Sequence, residues 1–243
     1  MKRHILYRLI ILTAVLATSC VADLEPLPKG WLHVSPPSRD TSALTRTTEE
    51  IDYLVSIQKG ANQIISPVRY SQLSGPIPLS EGTGYNLIAE SCTKTEAENQ
   101  PSSYGQPRYA GGSELFDIEA NKSKTVTVTC SMANAAFQVV KDASFYYESF
   151  IVTATLNNRT LMFTDEEQMG YFNVNEEGET ILTYQVEATD NEGRSGSGKG
   201  TIKLKARTLS RLHLKASSLG YIGISVTYDD TFTPTITNVV VTP

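Results

Sequence analysis

The sequence predicts an all-β protein, two β-sandwich domains in tandem, and three observations carry that prediction. Apolar and β-branched residues recur with a period of two almost throughout the chain. The alternating runs are short and separated by turn signals rich in Gly, Asn and Asp. No segment sustains a 3.6-residue period between helix caps.

The elements follow in chain order. "WLHVS" (31–35) reads as a first strand, ended by Pro36 and Pro37, which lack main-chain donors. "DYLVSI" (52–57) and "GYNLIAE" (84–90) are rich in β-branched and aromatic residues, with turns at "KGAN" (59–62) and "EGTG" (81–84). The stretch 91–114 is polar, almost free of strand signal and reads as a long loop, a length that is usually functional or disordered. "TVTVTC" (125–130) alternates strictly and reads as one strand, followed by "AAFQVV" (135–140). "TATLNNRTLMF" (153–163) reads as a tight hairpin, because asparagines tolerate the left-handed backbone of a two-residue primed turn. "TILTYQVEA" (180–188), "GTIKLKA" (200–206), "YIGISVTY" (221–228) and "TITNVVVT" (235–242) complete the set, with a turn at "NEEGE" (175–179). Strands at this spacing predict a sandwich or barrel. Their spacing becomes more regular after about residue 132, which divides the chain into an N-terminal sandwich (31–132) and a C-terminal one (133–243).

The N-terminus reads as a targeting segment. Lys2, Arg3 and Arg8 precede an apolar run from Leu9 to Ala17, far shorter than the ~20 residues needed to span a bilayer. The small residues Ala17, Thr18 and Ser19 then lead into Cys20. The pattern resembles a bacterial lipobox, which implies a signal peptide over 1–19, acylation at Cys20 and a linker over 20–30. The expected location is the outer membrane, held through the lipid and facing the cell exterior. Of the 243 residues, 21 are Lys or Arg and 26 are Asp or Glu. Without the three cations of the signal, the net charge moves from −5 to about −8. That balance, with no basic cluster, excludes nucleic acid as a partner.

Catalytic and metal signatures are weak. "GRSGSGKGT" (193–201) approaches a phosphate-binding loop but has Gly200 where the magnesium hydroxyl belongs, and a strand follows where a helix is needed. It reads as a flexible hairpin tip. The acidic stretches 164–168, 175–179, 189–193 and 228–230 lack the ligand spacing of a calcium loop and read as solvated turns. No G-x-S-x-G elbow is present, and neither CxxC nor paired-histidine spacing suggests zinc. No enzymatic activity, cofactor or metal is expected. Cys92 and Cys130 are a candidate disulfide in an exported chain, with buried thiols as the alternative. Tyr104, Arg108 and Tyr109 in the long loop, with Trp31, are candidate ligand contacts, since exposed aromatics stack on sugar faces and Arg bonds hydroxyls. The alternative is that Tyr109 packs over the sandwich.

A resemblance rests on "GWLHVSPPS", "DYLVSI", "GYNLIAES", "QPRYAGGSELFDIEANKSKTVTVTCSMANAAFQVV" and "GYFNV", in that order. Its most specific part is P-x-Y-x-G (Pro107, Tyr109, Gly111), then Cys130 and the Ala133-Asn134 step. The chain resembles a Bacteroidales family of surface lipoproteins, domain of unknown function 4493, in which these motifs are structural signatures. In layout it is similar to the fimbrillins of that order, built from two transthyretin-like, Greek-key β-sandwiches. The fimbrillin likeness implies a structural or adhesive role, with other fimbrial subunits as partners. It also implies cleavage by an Arg-specific protease after the first strand, here at Arg46 or else Arg39, and assembly by strand addition. An ordinary linker from lipid to domain accounts equally for that connector. The run 235–242 can donate to a neighbour or complete its own sheet. The alternative role is a monomeric lipoprotein binding host or bacterial glycans or proteins.

Overall fold

The computed structural model describes residues 27–39, 51–216 and 222–229. The expected signal peptide (1–19), Cys20, Arg46 and the run 235–242 lie outside the described residues.

Strands β1 (Lys29–Val34), β2 (Ser38–Arg39), β3 (Leu54–Lys59), β4 (Asn62–Arg69), β5 (Ile77–Ser80) and β6 (Gly82–Glu90) precede a short helix, α1 (Lys94–Asn99). Strands β7 (Tyr109–Gly112), β8 (Phe116–Ile118), β9 (Ser123–Val126) and β10 (Thr129–Met132) follow it. The remaining strands are β11 (Asn134–Lys141), β12 (Ser149–Leu156), β13 (Arg159–Phe163), β14 (Met169–Asn173), β15 (Glu179–Thr189), β16 (Ser195–Lys205), β17 (Leu209–Ala216) and β18 (Ile222–Asp229). The fold is all-β, as predicted.

The first ten strands build two facing sheets, β5-β1-β9 and β2-β10-β7-β6-β3-β4, with β8 also paired to β6. Leu32, Leu79 and Val126 of the small sheet meet Val55, Ile57, Leu87 and Tyr109 of the large one in a common core. The last eight strands build a second pair, β14-β11-β17-β18 and β13-β12-β15-β16, closed over Phe137, Phe163, Phe172, Leu182 and Ile202. Sheet membership changes at Ala133, the one residue between β10 and β11. The cores touch across that change, because Ala136, Tyr171 and Leu209 pack into the first cluster.

The alternation of "TVTVTC" is real, but it belongs to two strands. β9 pairs in parallel with β1 in the small sheet, whereas β10 pairs with β2 and β7 in the large one. The segments 29–39 and 123–132 pass from one sheet to the other side by side. Ser35 N–H donates to Val126 O (3.0 Å) and Ser38 N–H to Val128 O (3.0 Å), so the ladder continues around the corner. Pro36 and Pro37 fall at the bend, where β1 has ended and β2 has not begun.

Three other expectations change. The stretch 91–114 contains α1 and β7. Thr93 caps that helix: its hydroxyl accepts from Glu96 N–H (3.2 Å), and the Glu96 carboxylate accepts from Thr93 N–H (2.8 Å). The bonds that Glu96 Oε2 accepts from the Thr93 N–H and from the Thr93 hydroxyl (2.9 Å) hold the Glu96 carboxyl below the usual range. The phosphate-loop look-alike is not a hairpin tip, because Ser195 to Lys205 pair continuously with Thr189 to Glu179. The turn lies earlier, around Asp190, whose carboxylate accepts from the N–H groups of Glu192 (2.9 Å) and Arg194 (2.8 Å) and from Arg194 Nε (2.7 Å). In the β12–β13 turn only Asn157 takes the left-handed conformation (φ 54°), not both asparagines.

Gly30 fixes where β1 sits. A Cβ there would lie 2.3 Å from Glu119 O and 2.8 Å from Ile118 Cγ2, a main-chain contact that cannot swing aside. Gly30→Ala is expected to destabilise the protein by about 1–3 kcal/mol through overpacking, read as a lowered urea midpoint with little change in slope.

Candidate functional site

The two units are held by the motif residues themselves. Asn134 is fully buried, and its side-chain amide is used at both ends. Arg108 N–H donates to Asn134 Oδ1 (3.0 Å), and Asn134 Nδ2 donates to Gln106 O (2.8 Å). The Asn134 carbonyl accepts from Arg207 N–H (3.1 Å), and Ala133 N–H donates to Arg108 O (2.7 Å). One residue thus ties the 106–108 strand entry to the 205–209 turn.

Arg108 is buried beside it, only 3% exposed. Its Nε donates to Glu90 Oε2 (3.4 Å), and Nη1 and Nη2 donate to Glu176 Oε1 (3.1 and 3.2 Å). Glu90 belongs to the first unit and Glu176 to the turn between β14 and β15, so the guanidinium bridges the units. Tyr104 is a wedge at the same joint. Its ring meets Phe163 edge-on (centroids 5.5 Å apart, 69°), its hydroxyl donates to Met162 O, and its carbonyl accepts from Tyr171 N–H (2.8 Å). Tyr109 lies inside the first core, 2% exposed, with the Arg39 guanidinium 5.1 Å from its ring centroid. Burial raises the Tyr109 phenol pKa, and the neighbouring Arg39 charge opposes the rise. A Cβ on Gly111 would lie 2.3 Å from Thr129 O, so glycine there lets β7 approach β10.

The four candidate ligand contacts therefore do not form one surface. Arg108 and Tyr109 are internal, Tyr104 is committed to the joint, and Trp31 stands on β1, 40% exposed, away from them. Arg39 is likewise not a free connector residue. It pairs with Cys130 in the β2–β10 ladder and lies against Tyr109. Cys92 and Cys130 are free buried thiols, so the bridge that the sequence allows is not formed. Ser91 Oγ donates to Cys92 Sγ (3.7 Å), and Cys130 Sγ donates to Ala89 O (3.6 Å). Burial pushes the Cys130 thiol up to about 12 and also raises Cys92.

The joint opens into a cleft of about 540 Å³ between α1 and the β12–β13 turn. Its lining includes Glu98, Asn99 and Ser103 from α1 and the segment after it, and Asn157, Asn158 and Arg159 from the β12–β13 turn. Arg159 Nη2 donates to Ser103 O (2.6 Å), and the guanidinium lies 5.7 Å from the Phe172 centroid. Burial depresses the pKa of Arg159, while the charge of Glu98 works the other way. Glu98 Oε1 accepts from Asn173 N–H (3.0 Å), and Asn173 Nδ2 donates to Lys94 O (2.9 Å). Sequence reasoning missed this cleft. The Thr93-x-x-Glu96 capping box could have revealed α1, but no local signal brings Arg159 near Glu98. Among the described residues, no group of three or more His, Cys, Asp or Glu could hold a metal ion.

A family model described as "Domain of unknown function (DUF4493)" matches residues 29–243. No curated protein matches the chain. Among solved structures, a candidate cell adhesion protein from Bacteroides eggerthii is similar at 11% identity and a TM-score of 0.46, covering 84% of this chain and 96% of that one. The fimbrial anchor protein Mfa2 from Porphyromonas gingivalis is similar at 10% identity and a TM-score of 0.42, covering 82% and 97%. The tip fimbrial protein Mfa3 of the same organism, with a C-terminal truncation, is similar at 9% identity and a TM-score of 0.43, covering 83% and 99%.

Two measurements check the joint and the thiols. Asn134→Ala leaves Arg108 N–H and Gln106 C=O unsatisfied, at about 1–3 kcal/mol for each, and is expected to lower the urea midpoint accordingly. Cys130 is protonated in the folded protein until about pH 12, whereas an unfolded thiol ionises near ~8.5. Its contribution is therefore complete below pH ~8.5 and is lost as pH rises from there toward the folded value. Cys130→Ala is expected to flatten the alkaline limb of the stability–pH curve.

Proposed function

The chain belongs to the family described as domain of unknown function DUF4493, and on that premise we propose that it is a surface-exposed structural or adhesive protein of the fimbrillin kind. In this reading Cys20 carries the lipid that holds the precursor at the outer membrane, and cleavage after Arg46 frees the subunit for assembly. Neighbouring subunits join by strand replacement.

The observation that supports this reading is the position of β1. It is the middle strand of its sheet, pairing Lys29–Leu32 with Ser80–Ile77 on one side and Trp31–Val34 with Ser123–Val126 on the other. Leu32 is fully buried in the core. Yet the covalent link from segment 27–39 to the strands that follow runs through residues 40–50. A cut at Arg46 would leave β1 and β2 attached by non-covalent contacts alone. Departure of β1 would expose a row of main-chain donors and acceptors on both β5 and β9, with a hole where Leu32 sat. A strand from another chain satisfies both rows at once.

Arg39 is the poorer of the two processing candidates, because a protease needs an extended, unpaired backbone and Arg39 is laddered to Cys130. An incoming strand must also bring glycine, or its own end, where Gly30 now passes Glu119 O.

The test uses membranes of the producing bacterium, probed with an antibody to residues 133–243 on denaturing gels, with and without boiling. The expected result is a heat-sensitive ladder whose bands begin at Thr47, abolished by Arg46→Ala. A lone band retaining acylated Cys20 would overturn the polymerising reading.

A further inference from the structure

We propose that the cleft between α1 and the β12–β13 turn binds a neutral saccharide unit. This site is independent of β1 and of any strand replacement.

The cleft, at about 540 Å³, falls within the ~300–1,000 Å³ of small-ligand sites. Its lining is chemically unusual for a surface hollow. Asn157 and Asn158 are exposed at a turn, and neither side-chain amide makes a hydrogen bond among the described residues. Asn99 uses only its Nδ2, on Thr95 O (2.8 Å). A primary amide presents a donor pair and an acceptor in one plane. Adjacent ring hydroxyls, each able to donate and accept, match that arrangement. Lone cations, simple anions and apolar groups do not.

Charge narrows the class. Glu98 and Arg159 are the charged residues of the lining, one of each sign, so it is near neutral. An acidic ligand would meet the Glu98 carboxylate, and an amine would meet the Arg159 guanidinium. Leu156 and Leu161 are its only aliphatic side chains, too little surface for a hydrophobic ligand.

Two of the lining residues also retain unused bonding capacity. Arg159 Nε and Asn173 Oδ1 are sealed from bulk water and have no hydrogen-bond partner. One is a donor and the other an acceptor, and such buried groups normally find a partner in protein or ordered water. Hydroxyls serve both, directly or through a bridging water, once a small shift of the Arg159 and Asn173 side chains opens these atoms to the cleft.

The experiment is NMR titration of the full chain with glucose, galactose, mannose, N-acetylglucosamine and lactose, beside glucuronate and inorganic sulfate. A neutral sugar is expected to shift the side-chain amide signals of Asn99, Asn157 and Asn158. The double variant Asn99→Ala/Asn158→Ala should bind it about tenfold more weakly, as for two lost hydrogen bonds. Both positions are exposed, so its backbone spectrum should stay folded, and Trp31→Ala should bind unchanged. The proposal is overturned if no neutral sugar moves these signals, or if the double variant binds as the parent does. It is equally overturned if glucuronate or sulfate binds more tightly than the neutral sugars, which would make this an anion site on Arg159.

Discussion

The arrangement of this protein depends on one buried amide. Asn134 opens β11 directly after Ala133, where the chain leaves the first pair of sheets for the second. A junction one residue long cannot dissolve its polar backbone in water. Its donors and acceptors must be met locally or the buried crossing is lost. Asn134 meets them with a donor and an acceptor on adjacent atoms, gripping the chain at Gln106 and Arg108. Aspartate could accept there but not donate. Leucine could do neither.

What the amide positions, the charges hold. Arg108 lies between Glu90 of one unit and Glu176 of the other. A buried cation is costly unless its donors are matched, and here the planar guanidinium reaches carboxylates from both sides. Both carboxylates keep partial contact with solvent, with side chains 32% and 45% exposed, so only one member of the cluster bears full desolvation. Tyr104 and Phe163 add an aromatic contact to the same seam. Within the P-R-Y stretch Arg108 pins the two units together, whereas Tyr109 fills the first core.

Much of the fold was legible because strand periodicity is a local signal. "SFIVTATL" is rich in β-branched residues and alternates in burial as β12. "TIKLKA" does the same within β16. Legibility failed where the outcome depended on partners far away. Nothing in "TVTVTC" tells that Thr127 and Val128 turn a corner, because the bend follows from Ser35 and Ser38 bonding to Val126 and Val128. Glycines 196, 198 and 200 look like a loop, yet an eleven-residue partner in β15 holds them straight. The site was harder still. Tyr104, Arg108 and Tyr109 form a plausible ligand cluster in one dimension, but three-dimensional packing buries Arg108 and Tyr109 and commits the half-buried Tyr104 to the joint. The cleft that the fold does present combines α1 with a turn more than fifty residues downstream, a juxtaposition that no local pattern encodes.

The parallel pairing of β1 with β9 has a consequence for the order of assembly. The chain is synthesised from its N-terminus, so Lys29–Val34 is made before either of its partners, Ile77–Ser80 and Ser123–Val126. Pairings between residues so far apart close the largest loops and form late. Meanwhile the large sheet can assemble from neighbours in sequence, β3 with β4 and β6. The strand born first is thus among the last to be housed. Until it docks, Leu32 is missing from a core whose other walls are already paired.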